Sequence, residues 1–293
     1  MMKMNRRYKA VILVLSVLFI IQYPREVLAF EPWTNVDGDW ISADGRTPIK
    51  GAVKKGITVT KYQNRAGEIN WKRVAQDHIS FVMVRLGYYD DPDPYFKNNM
   101  AGAESVGIET GVCFYGEAID VEGAEAEARY VLDTVKDYRV SYPIAYDVES
   151  EELLERGLTK SQITEQVKAF CKVIEDAGYR AVIFGSNDWL TQHLDMKTLS
   201  YDVWYSRYGL ANQFENRTLW RCTDSGNVGG IEGNVCLEFV FVDYGTVFSG
   251  TGWRSINGKT YYFQNYKMTK NSTLQIEGST FYFDREGNPR KLR

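Results

Sequence analysis

The segment Tyr142-Pro-Ile-Ala-Tyr-Asp147-Val-Glu149-Ser-Glu-Glu carries the residues best suited to chemistry, two carboxylates two positions apart at the end of a β-rich run. Side chains alternate faces along a strand, so Ala145, Asp147 and Glu149 share one face while Ile144, Tyr146 and Val148 share the other. Like charges held close raise one pKa and leave a protonated acid beside a carboxylate. Glycosidic cleavage uses that division of labour: the acid protonates the leaving oxygen and the carboxylate stabilises positive charge at the sugar. Residues two apart on a strand have Cα atoms about 6.6 Å apart, and Glu reaches further than Asp, so spacing alone leaves retention and inversion both open. A solvated strand end leading into Ser150-Glu151-Glu152 is the competing reading of the same residues.

Other chemistries have little to work with. His78 and His193 are the only histidines, which removes most Ser-His-Asp, Cys-His and His-rich zinc arrangements. Cys113, Cys171, Cys222 and Cys236 form no C-x-x-C pair, so no metal site is expected, and no cofactor motif is present. The Gly226-Asn-Val-Gly229-Gly230 stretch reads as a loop, not a phosphate cradle, because no helix follows it. With 35 basic against 38 acidic residues and a formal charge of -3, the chain offers no net positive field for nucleic acid.

The elements that must position the carboxylates follow a βα rhythm. Eight strands are expected at 57–60, 81–86, 112–115, 144–149, 181–184, 203–206, 219–222 and 235–241, separated by helices mainly in the first half, and eight is the barrel number. The clearest helix spans about 159–177, with Ile163, Val167, Phe170, Ile174 and Ala177 on one stripe, a capping box of Thr159 and Gln162, and Gly178 just past its end. A second helix over about 121–138 interleaves Ala124, Ala128, Val131 and Val135 with Glu122, Glu125, Glu127 and Asp133, acids expected on a solvated face. Acids at the C-terminal end of a barrel strand stand where the active sites of that architecture lie.

Residues 1–29 read as a signal peptide: a basic stretch with Lys3, Arg6, Arg7 and Lys9, an apolar run from Ala10 to Ile21, and Val27-Leu28-Ala29 before the cut. Twelve helical residues rise only about 18 Å, too short for a bilayer core, so membrane contact is expected only through this segment if it stays uncleaved. Its removal takes away five basic residues and one acid and moves the charge from -3 to -7. Residues 30–55 form an N-terminal extension without a sustained period, and the barrel is expected over 56–245. Over 250–293 a repeat appears: Ile256-Asn-Gly258-Lys-Thr-Tyr261-Tyr262-Phe263 recurs as Ile276-Glu-Gly278-Ser-Thr-Phe281-Tyr282-Phe283 at an offset of 20. Each copy reads as a small β-hairpin, with Trp253 opening the first, and two copies are too few to stand without a support.

Taken in order, Gly56-Ile-Thr-Val-Thr-Lys-Tyr62-Gln63, Ile69-Asn-Trp71, Phe81-Val-Met-Val-Arg85-Leu-Gly87-Tyr88, Gly111-Val-Cys-Phe-Tyr115, Tyr146-Asp147-Val-Glu149, Gly178-Tyr179, Tyr201-Asp-Val-Trp204 and Gly229-Gly-Ile-Glu-Gly-Asn-Val-Cys-Leu-Glu238 resemble glycoside hydrolase family 25, the Chalaropsis-type lysozymes. The resemblance implies an α/β fold, an irregular (β/α)8-type TIM-like barrel with a small C-terminal β-hairpin repeat tail. It also implies an exported muramidase hydrolysing the β-1,4 bond between N-acetylmuramic acid and N-acetylglucosamine, secreted or wall-associated, with peptidoglycan or another cell-wall glycan as partner. By the same resemblance Glu149 is the general acid/base, and Asp147 assists the substrate's own N-acetyl group. Tyr62, Arg85, Tyr115, Trp204 and Tyr208 occupy or adjoin groove-lining positions. The tail repeats look like cell-wall-binding (choline-binding-like) modules, with Trp253, Tyr261, Tyr262, Phe281 and Tyr282 as contact residues. A generic wall-polymer contact is expected more than a choline cage, since Trp253 is the only tail tryptophan.

Two positions depart from the pattern. The first family strand reads G-[IV]-D-V-S and the last N-V-D-L-N, and their Asp positions here are Thr58 and Cys236. Glu238, two residues on and on the same strand face, is a possible compensating acid. These losses leave an alternative of a different class, a catalytically inactive lysozyme-like wall-binding protein. Cys222 and Cys236 fall on consecutive strands of an exported chain, so a disulfide and buried thiols are both compatible with the sequence, while a cysteine nucleophile has no histidine near it to activate it.

Overall fold

The computed structural model describes residues 33–88, 91–209, 216–244, 250–256, 258–265 and 267–292, so the expected signal peptide lies outside the described residues. Two short strands, β1 (Asn35–Val36) and β2 (Asp39–Trp40), pair as a small hairpin ahead of the main sheet. Eight strands then close a barrel: β3 (Lys54–Val59), β4 (Phe81–Gly87), β5 (Glu109–Tyr115), β6 (Ile144–Asp147), β7 (Ala181–Ser186), β8 (Asp202–Ser206), β9 (Arg217–Gly226) and β10 (Val235–Val240). The expected α/β barrel is therefore present. Its irregularity is the closing strand: β3 to β9 run parallel, whereas β10 is antiparallel to both β9 and β3. The N-terminal end of β10, with Cys236, consequently lies opposite Thr58 at the end of the barrel where β3 to β9 terminate.

β6 stops at Asp147, two residues short of the expected end. The Glu149 amide donates to Asp147 Oδ1 (3.1 Å) and its carbonyl accepts the Tyr115 hydroxyl (2.7 Å), so side chains take the backbone groups that a sheet ladder would otherwise use. Below the mouth the barrel is filled. Phe81 stacks on Tyr142 at 4.4 Å, with Met83, Val182, Leu219 and Val240 packed around them. Gly56 is required there, because a Cβ would stand 2.5 Å from the Phe81 ring.

Helices α1 (Trp71–Gln76), α2 (Phe96–Ser105), α3 (Val121–Val135), α4 (Glu151–Glu155) and α5 (Lys160–Asp176) belong to the first two thirds of the chain. α5 starts at the expected capping box, with Gln162 reaching back to Thr159, and ends before Gly178 at φ +92°. Its stripe buries Ile163, Val167, Phe170 and Ile174, and the Phe170 ring stacks on Tyr146 of β6 at 3.9 Å, which fixes the strand that carries Asp147. α3 corrects one expectation. Glu127 is buried, not solvated, because its carboxylate accepts the Tyr146 hydroxyl (2.6 Å) and the Glu117 amide (2.8 Å). Burial pushes its pKa up against those bonds.

Among the described residues no helix follows β9 or β10, and their outer faces carry Trp220 and Phe239. The N-terminal extension supplies the cover. Trp33 meets Trp220 edge-on at 5.9 Å, and Trp40 meets Phe239 at 5.6 Å. The tail forms two three-stranded sheets, β11 (Gly252–Ile256), β12 (Lys259–Gln264) and β13 (Lys267–Met268), then β14 (Ser272–Ile276), β15 (Ser279–Phe283) and β16 (Pro289–Lys291). The β14–β15 turn has Glu277 and Gly278 both at positive φ, the geometry of a tight two-residue hairpin. Trp253 lies between the two sheets, 5.1 Å from Tyr262 and 5.0 Å from Phe281. Arg254 Nε donates to the Gly178 carbonyl (3.1 Å), and Lys270 faces Asp176 at 3.6 Å, so the tail leans on the end of α5.

Candidate active site

The mouth of the barrel holds a cavity of about 290 Å³ lined by Thr58, Thr60, Tyr62, Gln63, Arg85, Tyr88, Cys113, Tyr115, Asp147, Arg221 and Cys236. Six of these are site positions expected from the sequence: Tyr62, Arg85, Tyr115, Asp147, Thr58 and Cys236. Tyr62 is placed by a 3-10 turn, Lys61–Asn64, whose start is a capping box of Thr60 and Gln63. The Lys61 amide donates to buried Asp93 (2.6 Å), tying that turn to the β4–α2 loop. Tyr115 meets Tyr88 edge-on at 4.8 Å, and the Arg85 guanidinium lies over the Tyr88 ring at 4.8 Å, so two phenols and a cation make one wall.

Glu149 stands two residues beyond the strand end. The Ser186 amide, at the end of β7, donates to its Oε1 at 2.7 Å. One oxygen is thus fixed by the backbone while the other makes no hydrogen bond with the described residues. Asp147 is pushed up to about 7, first by burial and then by the charge of Glu149, against the Glu149 amide, Arg221 and Arg85. Burial thus keeps the protonated form of Asp147 populated up to neutral pH.

This shift has a sign for stability. An unfolded Asp near 3.8 ionises while the folded group still holds its proton, so the native state loses stability as pH rises from about 4 to about 7. Asp147→Asn, which keeps an acceptor for the Glu149 amide, is expected to stabilise the fold by about 2 kcal/mol at pH 8, a value discounted because the carboxylate is partly solvated. That gain corresponds to roughly 4 °C in Tm and should vanish near pH 4, which thermal melts at the two pH values will check.

Beneath the cavity lies a network the sequence did not reveal. Glu238 is fully buried; its Oε1 accepts from Thr58 Oγ1 (2.7 Å) and Arg221 Nε (2.9 Å), and its Oε2 from Trp204 Nε1 (2.7 Å). Arg221 also donates from Nη2 to Thr58 Oγ1 (3.0 Å) and lies over the rings of Phe184 and Trp204. Burial raises the Glu238 pKa, and Arg221 with the donated bonds pulls it back. The compensating acid considered from sequence is thus spent on an arginine one layer below the mouth and does not face the cavity.

One further expectation is corrected. Trp204 offers no face to a sugar: it is completely buried under the cavity, edge-on to Phe184 at 4.8 Å, because its indole N–H is needed by Glu238. Tyr208 is exposed beside the cavity, where the charge of Arg221 acts on its phenol. All four cysteines are free. Cys222 packs into the outer core while Cys236 lines the cavity, so the two thiols lie on opposite sides of the barrel wall and cannot pair. Burial pushes Cys236 up to about 11, leaving a neutral thiol at pH 7 and no thiolate nucleophile. Thr60, Gln63, Tyr88, Cys113, Ser186 and Arg221 were missed as site residues. Thr60, Gln63, Tyr88 and Cys113 fall within the stretches that carry the family resemblance, whereas Ser186 contributes only a backbone amide and Arg221 carries no local signal.

In the tail, Phe263 and Phe283 are the buried ring of each sheet, at offset 20, and Tyr261 packs against the first. Tyr282 is exposed, with the Arg290 guanidinium over its ring at 5.7 Å.

The sequence model described as Glycosyl hydrolases family 25 matches residues 57–231, more than half of the chain. The chain belongs to glycosyl hydrolase family 25. Among solved structures this family 25 chain is similar to the modular autolysin LytC from Streptococcus pneumoniae, with a TM-score of 0.63 and 25% identity over 71% of this chain and 52% of that one. The chain thus spans about half the length of LytC, of which a second structure is a complex with a synthetic peptidoglycan ligand. It also shares its fold with the bacterial lysozyme from Streptomyces coelicolor (TM-score 0.56, 20% identity, covering 65% of this chain and 93% of that one). A family 25 glycosyl hydrolase from Bacillus anthracis gives a TM-score of 0.57 and 16% identity, covering 66% of this chain and 91% of that one. No curated protein matches the chain in sequence. The family match stops before β10, so Cys236 and Glu238 lie beyond it.

Proposed function

We propose that this family 25 protein is an exported peptidoglycan muramidase, cleaving the β-1,4 bond between N-acetylmuramic acid and N-acetylglucosamine. One observation carries the reading: Asp147 lies in the cavity, and Glu149, two residues on, has one carboxylate oxygen anchored by the Ser186 amide. Glu149 protonates the leaving oxygen. Asp147, when ionised, accepts the N–H of the substrate's N-acetyl group, so that the acetyl oxygen closes on the anomeric carbon. Water then opens that ring, with Glu149 taking its proton. Tyr62, half exposed at the rim, offers a flat ring to a pyranose face. A second cavity of about 420 Å³, lined by Asn70, Arg73 and residues 227–232, borders the first at Gln63, on the side where a longer glycan would extend.

Thr58 and Cys236 favour a second reading, a wall-binding protein without turnover, because neither side chain supplies the negative charge of the family pattern and Glu238 is neutralised by Arg221. The tail, whose aromatic residues include the exposed Tyr282, is the proposed wall contact in either case. The test is to incubate the protein with intact peptidoglycan and identify released reducing ends by mass spectrometry. Muropeptides ending in N-acetylmuramic acid support the muramidase. Sedimentation with the wall without any release supports the binding protein.

A further inference from the structure

The cavity lining contains three charged side chains, Arg85, Arg221 and Asp147. Arg85 has no carboxylate within ion-pair distance among the described residues; its guanidinium rests on Tyr88, its one side-chain partner, and feels the charge of Asp147 across the cavity. Arg221 spends Nε on Glu238 and one donor of Nη2 on Thr58, which leaves Nη1 without a hydrogen bond among the described residues. The two positions that would supply negative charge in the family pattern are a hydroxyl and a thiol. A desolvated guanidinium with unspent planar donors is a recognition element for a carboxylate, and here two of them face one cavity of about 290 Å³.

Resting on the muramidase reading, we propose that Arg85 and Arg221 bind a free carboxylate on the muramoyl residue at the cleavage site, and that the preferred substrate is a glycan strand whose stem peptides have been removed. Muramic acid carries its lactyl ether on C3, next to the C2 acetamido group that Asp147 addresses, so a group on C3 falls beside the arginines that share the cavity with Asp147. In a peptide-bearing strand that lactyl carboxyl is a neutral amide. It becomes a carboxylate only when an amidase adds water across the lactyl C–N bond, leaving the carboxylate on the sugar and the amine on the peptide. The reaction class that supplies this substrate is therefore amide hydrolysis at the muramoyl group, acting before this protein.

Three substrates made from one peptidoglycan test this: peptide-bearing strands, strands stripped by a muramoyl amidase, and stripped strands whose lactyl carboxylates have been converted to carboxamides. The expected kcat/KM favours the stripped strands over both others by about tenfold or more, with a preference that weakens as salt rises. Arg85→Gln, which breaks no ion pair and gives up only the contact with Tyr88, should erase the preference while lowering Tm by no more than about 2 °C. The Arg221→Gln/Glu238→Gln double variant, which removes the buried pair together, should reduce it. Equal kcat/KM on the three substrates, or a preference that survives Arg85→Gln, overturns the proposal while the hydrolase reading stands. If no strand is cleaved, the hydrolase reading fails, and the proposal is decided by dissociation constants for the stripped and carboxamide strands: a preference of the same size supports carboxylate recognition, and equal affinities overturn it.

Discussion

Glu149→Gln will lower the release of reducing ends by about three orders of magnitude and leave Tm nearly unchanged. The size of the loss follows from the proposed acid role: Gln keeps the shape and the carbonyl oxygen that accepts the Ser186 amide, but it holds no transferable proton at neutral pH. The unchanged Tm follows from location, because Glu149 projects from the loop after β6 and makes one side-chain hydrogen bond with the described residues. Removing its charge also relieves the like-charge contribution that helps raise Asp147, so the Asp147 titration should move below about 7 in the variant. Steady-state kinetics on peptidoglycan with a thermal melt in parallel checks the first two points, and carboxyl NMR checks the third. A variant that keeps activity within about tenfold of the parent would exclude Glu149 as the acid.

The largest stability effect is expected at Glu238. Glu238→Ala strips Arg221 of its carboxylate, leaves the Trp204 indole N–H and the Thr58 hydroxyl without their acceptor, and opens a void under the mouth. Losing one partner of a buried ion pair costs about 3–5 kcal/mol, so Tm should fall by roughly 10 °C. Replacing both members, Arg221→Gln with Glu238→Gln, restores charge balance and should recover most of the loss, since the pair's net contribution is small once desolvation is counted. Chemical denaturation of the two variants separates these outcomes: equal destabilisation in both would mean that packing, not charge, dominates there. The same network bears on repair of the family pattern. An Asp at position 58 would put a second carboxylate against Glu238, which now receives the Thr58 hydroxyl at 2.7 Å, so Thr58→Asp alone is a poor restoration.

What could be read from the chain was whatever repeats or caps locally. The strands were recognisable as short apolar runs of the right length, and α5 was bounded by Thr159, Gln162 and Gly178 because capping and left-handed turns depend on residues three or four apart. The Asp147–Glu149 pair was visible because a strand puts alternate residues on one face, even though the strand stops at Asp147. The 20-residue offset marked the tail sheets because each buries the same ring, Phe263 and Phe283.

The rest depended on which strands become neighbours. Arg221 and Glu238 are 17 residues apart and meet only because β10 closes the barrel antiparallel to β9, a direction the apolar pattern of β10 does not encode. That pairing decides that Glu238 balances a cation and does not serve the substrate, and that Trp204 is a buried donor, not a sugar platform. It also places Cys222 and Cys236 on opposite sides of the wall. Local sequence determined the elements and the acid pair, because capping and alternation are short-range. The tertiary structure alone decided the charge of the cavity, because a buried ionisable group is defined by partners brought to it from other strands.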